Sequence, residues 1–363
     1  MISYKFKLYN TKQTKHLELM LQEARFVWNR MLGLQKRYYN IFNKYASAVQ
    51  LQKHYAKRYK RTYLHSQTAQ EVIQRLDLAY QRFFKHLAKR PPKFKSKKFF
   101  TSFCFKQGGF TIQDNTFTIR SIKKTYKFSK SRDIVGNIKR VCVKRTPLNE
   151  YYIIIVTDGN NSTYTKSRNG ASVGIDFGLK QYLTLSDGTV INNPQFHKSH
   201  LRKLRKLSKL HSQKKQGSSH KERARLALCR EYEHISNSRL DFQWKLAHML
   251  CKTYDIIFVE DLNLQGMTRL WGRKVCDLAH GNFLRILEYV ATKYDVTVHK
   301  IERYYPSSKL CDCGYVHKGL KLSDRKWVCP QCGQIHDRDF HAAVNINRRG
   351  IYELESNGKT VVA

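Results

Sequence analysis

The sequence predicts a multidomain protein, α+β in its first part and α/β in its second. Three observations carry this. A strand-like stretch at residues 2–9 gives way to long helical periodicity and then to a series of short strands. From residue 171 onward, apolar strand-like runs alternate with helical stretches, the pattern of an α/β domain. A length of 363 residues is enough for two or three domains rather than one.

Residues 2–9 alternate polar and apolar, as a strand does. Leu17, Leu21, Ala24, Val27, Trp28, Met31 and Leu34 then recur at helix spacing, and Ala69, Val72, Ile73, Leu76, Ala79, Tyr80 and Phe83 mark a second helical stretch over 66–87. Arg90-Pro91-Pro92 breaks that run. Between 99 and 157, short strands are expected at 103–105, 110–112, 116–119, 141–143 and 151–156, forming a small β-barrel or sheet that continues strand 2–9. The helical block is thus an insertion in a β domain. Residues 158–170 are polar and read as a linker. A hairpin follows, 171–175 with 182–185. Residues 197–254 are helical and very basic, with Leu201, Leu204, Leu207 and Leu210 three apart and a break at 214–219. Strands at 256–259 and 296–301 flank a helix over 282–294.

Charge narrows the partners. Lys and Arg number 68 against 27 Asp and Glu, a net +41. Residues 1–100 hold only four acids, Glu18, Glu23, Glu71 and Asp77, among interleaved aromatics. Nucleic acid is the expected partner, and basic grooves with stacking rings suit single strands and helical backbones. The plainer alternative is a solvated helical face with core tyrosines. No apolar run approaches the ~18 residues of a spanning helix, and the N-terminus lacks a signal-peptide pattern. A cytosolic protein, acting where nucleic acid is, is expected.

Three acids stand in telling places. Asp176 lies in Gly174-Ile175-Asp176-Phe177-Gly178, Glu260 ends the apolar run 256–259, and Asp339 opens an expected helix carrying Phe340, Ala343, Val344 and Ile346. Two-metal phosphodiester hydrolysis needs about three carboxylates around ions ~4 Å apart, and oxygen ligands suit Mg²⁺ or Mn²⁺. The hairpin after Asp176 matches an RNase H-like opening. Any one of these acids alone could be a cap or turn residue; the ordered set is the signal. Four of nine cysteines form a second cluster: Cys311-Asp312-Cys313-Gly314 and Cys329-Pro330-Gln331-Cys332-Gly333, with 15 residues between the pairs. Four thiolates make a closed structural Zn²⁺ site. The first pair is Cys-x-Cys, a shorter bite than the usual Cys-x-x-Cys, so His317 and His336 are candidate substitute ligands. Cys104, Cys142, Cys229, Cys251 and Cys276 are expected as separate, buried, small apolar side chains.

Together these residues resemble the TnpB (OrfB) family of transposon-encoded RNA-guided DNA endonucleases, related to compact type V CRISPR effectors. Further matches are Val259-Glu260-Asp261-Leu262-Asn263, Tyr305-Pro306-Ser307-Ser308-Lys309, Asp337-Arg338-Asp339-Phe340-His341-Ala342-Ala343-Val344-Asn345-Ile346, Pro92-Lys93-Phe94-Lys95-Ser96-Lys97-Lys98 and Arg239-Leu240-Asp241-Phe242. The resemblance implies a wedge-type β-barrel (1–10 and 91–165) with a helical recognition insertion (11–90). It further implies a RuvC nuclease domain (171–308), a zinc-ribbon-like insert (309–335), a third RuvC motif (336–350) and a tail (351–363). The implied catalytic and metal-binding acids are Asp176, Glu260 and Asp339, with Asp337 as rival to the last. The implied zinc ligands are Cys311, Cys313, Cys329 and Cys332. Lys93, Lys95, Lys97, Lys98, Arg202, Arg205, Lys214 and Lys215 are implied nucleic-acid contacts. Guide RNA and double-stranded DNA are the implied partners, in a prokaryotic cytoplasm at the nucleoid, with a monomer favoured. His341 stands where the family usually has Asn, a departure that could reorient Asp339 or add a proton donor. A compact CRISPR-associated effector, a transposase and a cleavage-deficient RNA-guided regulator are the alternatives.

Overall fold

The computed structural model describes residues 1–106, 108–159, 164–321 and 323–357. Contacts divide the chain into two units, residues 1–161 and 162–363. Part of the expected linker (160–163) and the end of the expected tail (358–363) lie outside the described residues.

The first unit runs β1 (Ile2–Lys7), α1 (Thr14–Phe42), α2 (Ala48–Arg58), α3 (Ser66–Phe84), β2 (Ser102–Phe105), β3 (Phe110–Gln113), β4 (Thr116–Ile119), β5 (Lys124–Lys127), β6 (Ile138–Arg145) and β7 (Tyr151–Thr157). The strands form a four-stranded antiparallel sheet, β1-β7-β6-β2, and a separate three-stranded one, β3-β4-β5. The expected barrel is therefore not closed. Closure requires every edge strand to pair, yet β1 and β2 remain edges of the larger sheet, and among the described residues a single isolated bridge, Leu8 to Phe128, links the ends of β1 and β5. The helices share the core instead: Leu17, Val27 and Met31 of α1 and Val72 and Leu76 of α3 join Phe6, Phe103, Val141 and Ile153 in one buried cluster.

Two cysteines correct the sequence reading. Cys104 and Cys142 are register partners on β2 and β6 and form a disulfide. Register brings them onto one face as direct neighbours. Of the other three, Cys251 is buried as expected, Cys229 is half-buried and Cys276 is exposed.

The second unit runs β8 (Ser172–Phe177), β9 (Gln181–Leu185), β10 (Val190–Asn192), α4 (Phe196–Gln213), α5 (Ser219–Thr253), β11 (Ile256–Glu260), α6 (Leu264–Leu278), α7 (His280–Tyr294), β12 (Thr297–Ile301), β13 (Lys326–Val328), β14 (Ile335–Asp337) and α8 (Arg338–Ser356). Strand order in the main sheet is β10-β9-β8-β11-β12. The first three strands form an antiparallel meander, and β11 runs parallel to both β8 and β12. One sheet face carries Val173, Ile175, Ile257 and Val259, packed with Leu246 and Leu250 of α5 and Phe283, Leu287 and Val290 of α7. The opposite face carries Gly174 and Phe258, on which α8 lies. A strand covered on both faces reads as a continuous apolar run, which is why 256–259 has no alternation. On α4 only Leu204 of the four spaced leucines is buried. Helix α8 continues into what was expected as tail, to Ser356.

Candidate functional site

Register brings two of the acids together. Ile257, Phe258 and Val259 pair in parallel with Val173, Gly174 and Ile175. Asp176 and Glu260 each stand one position past the last of these pairs, on adjacent strands ~4.8 Å apart and on the same face. That face is the one α8 covers. Gly174 makes the approach possible: a Cβ there would meet the Ala343 carbonyl at 2.2 Å and the Asn347 nitrogen at 2.5 Å. Gly350 repeats the device against Phe258, whose ring a Cβ would meet at 2.0 Å. Asp339 sits in the first turn of α8, one helical turn before Ala343, and so approaches Asp176 from above the sheet.

The electrostatics agree. Burial pushes the Asp176 carboxyl up to about 8, with the Glu260 and Asp339 charges adding to the effect and Arg338 and Arg325 opposing it. Burial also raises Glu260, partly offset by a hydrogen bond that the Ser307 hydroxyl donates to Glu260 Oε1. Asp339 is turned onto two guanidiniums, Arg325 at 2.6 Å and Arg338 at 3.1 Å. A cavity of ≈ 460 Å³ opens beside it, lined by Thr184, Arg325, Asp337 and Asp339 among others. Thr184 is the cross-strand partner of Asp176. An acid cluster in which burial and acidic neighbours raise Asp176 and burial raises Glu260 is a donor set that a divalent cation relieves. Asp337 is occupied otherwise, since its side chain accepts from the Phe340 N–H and caps α8.

Ser307 is the residue that sequence reasoning did not single out by role. It is buried, and its own carbonyl accepts from Asn345 Nδ2 at 2.8 Å. Asn345 also donates to the Leu310 carbonyl at 2.8 Å. A chain of contacts thus runs from α8, which carries Asp339, through Asn345 and Ser307 to Glu260. The Tyr-Pro-Ser-Ser-Lys motif contained the signal, but a loop serine has no periodic pattern to reveal its partner.

The cysteines form a compact cluster. The sulfurs of Cys311, Cys313, Cys329 and Cys332 all lie within 4.8 Å of one another. Cys311 and Cys332 are 3.5 Å apart, and Cys313 and Cys329 3.6 Å. A tetrahedral Zn–S₄ centre with bonds of ~2.3 Å has sulfur separations of about 3.8 Å, so the donor set fits zinc. Gly314 and Gly333 end the two loops with positive φ, 88° and 75°. The Gly314 N–H bonds to the Cys311 carbonyl and the Gly333 N–H to the Cys329 carbonyl. The shorter Cys-x-Cys loop simply closes one residue earlier. Neither His317 nor His336 replaces a thiolate. His336 lies outside the four, with Nε2 3.1 Å from Cys311 Sγ and its ring against Trp327. His317 packs edge-on to Trp327.

His341 faces this module rather than the acids. It is buried, its Nε2 meets the Leu310 carbonyl at 2.8 Å, and its ring lies 3.9 Å from that of His336. Asp312, His336 and His341 also bring ligand atoms together, but Asp312 is held by Arg348 and Gln334.

The basic positions are at the surface. Lys93, Lys97 and Lys98 are exposed and Lys95 half-buried, and Lys97 pairs with Glu18 at 3.2 Å. Arg202, Arg205, Lys214 and Lys215 are exposed on and just after α4. No helix among the described residues is long and apolar enough to cross a membrane.

Three family models match segments of the chain. Residues 154–270 match OrfB of IS605, described as "Probable transposase"; residues 280–346 match the TNB domain of Cas12f1-like proteins; residues 1–44 match a helix-turn-helix domain of OrfB. A "Putative RNA-guided DNA endonuclease" of Streptomyces pristinaespiralis is 29% identical, over 78% of this chain and 71% of that one. The "Putative RNA-guided DNA endonuclease InsQ" of Escherichia coli K12 is 26% identical, over 90% of this chain and 86% of that one. Among solved structures, the Cas12f1 protein of a Cas12f1–sgRNA–target DNA complex superposes with a TM-score of 0.60 at 14% identity, covering 93% of this chain and 83% of that one. Fold and matched segments define a mixed α/β protein built like the compact Cas12 effectors. Within that class, the matched segments and the two relatives make the chain similar to the TnpB (OrfB) family.

Proposed function

We propose that the protein is an RNA-guided DNA endonuclease that cuts target DNA at an RNase H-like, RuvC-type site formed by Asp176, Glu260 and Asp339. The observation that carries this is that Asp176 and Glu260 stand on one face of the β10-β9-β8-β11-β12 sheet with Asp339 at the start of the covering helix α8, the Asp176 carboxyl being pushed up to about 8 by burial and its acidic neighbours. The relatives' names and the compact Cas12 fold support the same reading.

Asp176, Glu260 and Asp339 would hold Mg²⁺ or Mn²⁺, which when bound supply an activated water and charge stabilisation at the leaving oxygen. The chain's own residues do the rest. Ser307 orients Glu260, and α8 delivers Asp339 across Gly174. Thr184 and Arg325 line the cavity beside the acids, where a phosphate would meet a cation. The zinc module, held by Cys311, Cys313, Cys329 and Cys332, anchors the start of α8 and hence Asp339. Guide pairing supplies sequence recognition, and the protein reads backbone shape and a short adjacent DNA motif. Residues 1–10 and 91–165 serve as the wedge domain, with 11–90 as recognition insertion. Lys93, Lys95, Lys97, Lys98, Arg202, Arg205, Lys214 and Lys215 hold phosphates. The protein acts as a monomer in the cytoplasm at the nucleoid.

Co-expression with the downstream flank of the gene, followed by sequencing of the copurifying RNA, tests this. A discrete RNA ending in variable flank, directing Mg²⁺-dependent cleavage of a matching plasmid, is the expected result. Bulk cellular RNA and guide-independent cutting would overturn guidance, and strand joining in place of hydrolysis would favour a transposase.

A further inference from the structure

The first unit contains a cleft that the carboxylate site and the zinc module leave unexplained. It lies between α1 and the end of α2, has a volume of ≈ 410 Å³, and is lined by Arg30, Arg37, His54, Arg58, Tyr59 and Phe94 among others. No acidic side chain lines it. Arg37 and Arg58 have no carboxylate partner among the described residues. Arg30 donates to the Tyr59 hydroxyl at 2.6 Å, so one guanidinium and one ring are already fixed.

The segment bearing Phe94 is also fixed. Asn29 clamps the Lys95 backbone from both sides, donating to its carbonyl at 2.9 Å and accepting from its N–H at 2.8 Å. Trp28 Nε1 donates to the Lys93 carbonyl at 3.1 Å. Phe94 is therefore held at the cleft while 55% exposed, with Lys36 Nζ 4.9 Å from its ring centre. A rigid exposed ring beside unpaired guanidiniums is a preorganised stacking platform with phosphate ligands. The Pro-Lys-Phe-Lys motif then carries its function in the phenylalanine as much as in the lysines.

We propose that this cleft takes one unstacked nucleotide of the guide RNA, its base on Phe94 and its phosphate on Arg37 and Arg58. The proposal rests on the RNA-guided reading above. Duplex DNA and a guide–target heteroduplex keep their bases stacked, whereas loops and bulges of a folded RNA present bases that aromatic and guanidinium planes accept. A cavity of this size lies in the range of small-ligand sites and admits a single nucleotide, not a helix.

The test uses the full chain with the RNA that copurifies with it, stripped and rebound. Phe94→Ala should weaken that RNA about tenfold, the scale of one stacked base. It should also make one nucleotide newly reactive to 2′-hydroxyl acylation, while Phe94→Trp retains both affinity and protection. Arg37→Ala with Arg58→Ala should weaken RNA binding and flatten the salt dependence by roughly 1.4 in slope, as for two lost contacts to a single strand. Unchanged RNA affinity and reactivity in Phe94→Ala would overturn the cleft, as would a loss confined to single-stranded DNA or a Phe94→Trp variant no better than Phe94→Ala. If the wild-type chain retains no discrete RNA, the functional reading itself fails; if it does and Phe94→Ala binds it normally, only the cleft fails.

Discussion

The acid cluster and the cysteine cluster meet at the start of α8, and they are built on opposite principles. The cysteines come from one stretch, 311–332, on two glycine-ended loops, and their sulfurs already stand at metal-ligand spacing. The acids come from two strands and a helix spread over 176–339. Among the described residues they do not close to the separation the cysteines reach. Burial and like charges both disfavour carboxylates here: proton affinity rises at Asp176 from burial and its acidic neighbours and at Glu260 from burial, while Asp339 turns to Arg325 and Arg338. The thiolate module is a scaffold that its own loops define. On the proposed reading, the carboxylate site is held by packing and would be completed by a divalent cation.

The largest test of that contrast removes the acids. Asp176→Ala or Glu260→Ala should lower Mg²⁺-dependent cleavage by at least about 10³-fold, the scale of lost preorganised charge stabilisation, and leave RNA binding intact. Plasmid cleavage with parallel RNA-affinity measurements checks this, and retained cutting by both variants would break the assignment. These substitutions should not destabilise the fold, since each removes a desolvated carboxylate.

The cysteines should behave the other way. Cys329→Ser or Cys311→Ser removes a buried ligand and should cost the fold, because structural zinc sites contribute folding free energy directly, of the order of 10 kcal/mol in small modules. One zinc per chain is expected by elemental analysis of the wild type, and near zero with a lowered melting temperature in the variants. Cleavage should fall as a consequence, since the module sets the start of α8. A metal-free protein with an unchanged melting temperature would show the loops closing without an ion.

The same contrast explains what was legible in the sequence. The cysteines announce themselves by spacing alone. Asp176 and Glu260 were legible because each follows an apolar run, and a strand covered on both faces leaves such a run intact. What failed was pairing across distance. Nothing in the spacing of Cys104 and Cys142 reveals their register partnership on β2 and β6. The three-stranded sheet β3-β4-β5 reads like any meander, so its separation from the larger sheet was invisible, and a barrel was expected. The leucines of α4 show a different fault. Steps of three residues drift by about 60° per step on a helix, so four such leucines sweep half the circumference and only Leu204 is buried. Helix α6 was missed because Gly266 and Gly272 weaken its pattern. His341 was placed with the acids by its sequence neighbour Asp339, but residues two apart on a helix point about 200° apart, and His341 turns to the cysteine module.

A smaller effect sharpens the comparison at the point where the two sites meet. Ser307→Ala removes the hydrogen bond to Glu260 while leaving its own backbone contact to Asn345 in place. Loss of a partner that orients a metal-binding carboxylate costs about 10–100-fold in metal affinity or activity. The lower end is expected here, because Glu260 stays packed on its strand. The Mg²⁺ concentration for half-maximal cleavage should rise, Ser307→Thr should restore it, and RNA affinity and zinc content should not change. An effect on zinc content instead would mean that the 305–310 loop belongs to the thiolate scaffold.

The smallest effect comes from Arg325, which stands in the cysteine segment yet touches an acid. Its guanidinium sits 2.6 Å from Asp339 and is 42% exposed. A partly exposed ion pair is worth about 0.2–1 kcal/mol, so a cation that claims Asp339 displaces a weak competitor. Arg325→Ala should therefore strengthen Mg²⁺ binding by no more than about fivefold, measured by calorimetry on the guide-bound protein without DNA. Arg338 still faces Asp339 in that variant, which keeps the gain small. The same substitution removes a cation from the cavity wall where a phosphate would lie, so cleavage at saturating Mg²⁺ should fall while metal affinity rises. That opposite movement separates a residue that serves the substrate from one that merely holds the acid. Parallel loss of both would place Arg325 among the supports of Asp339.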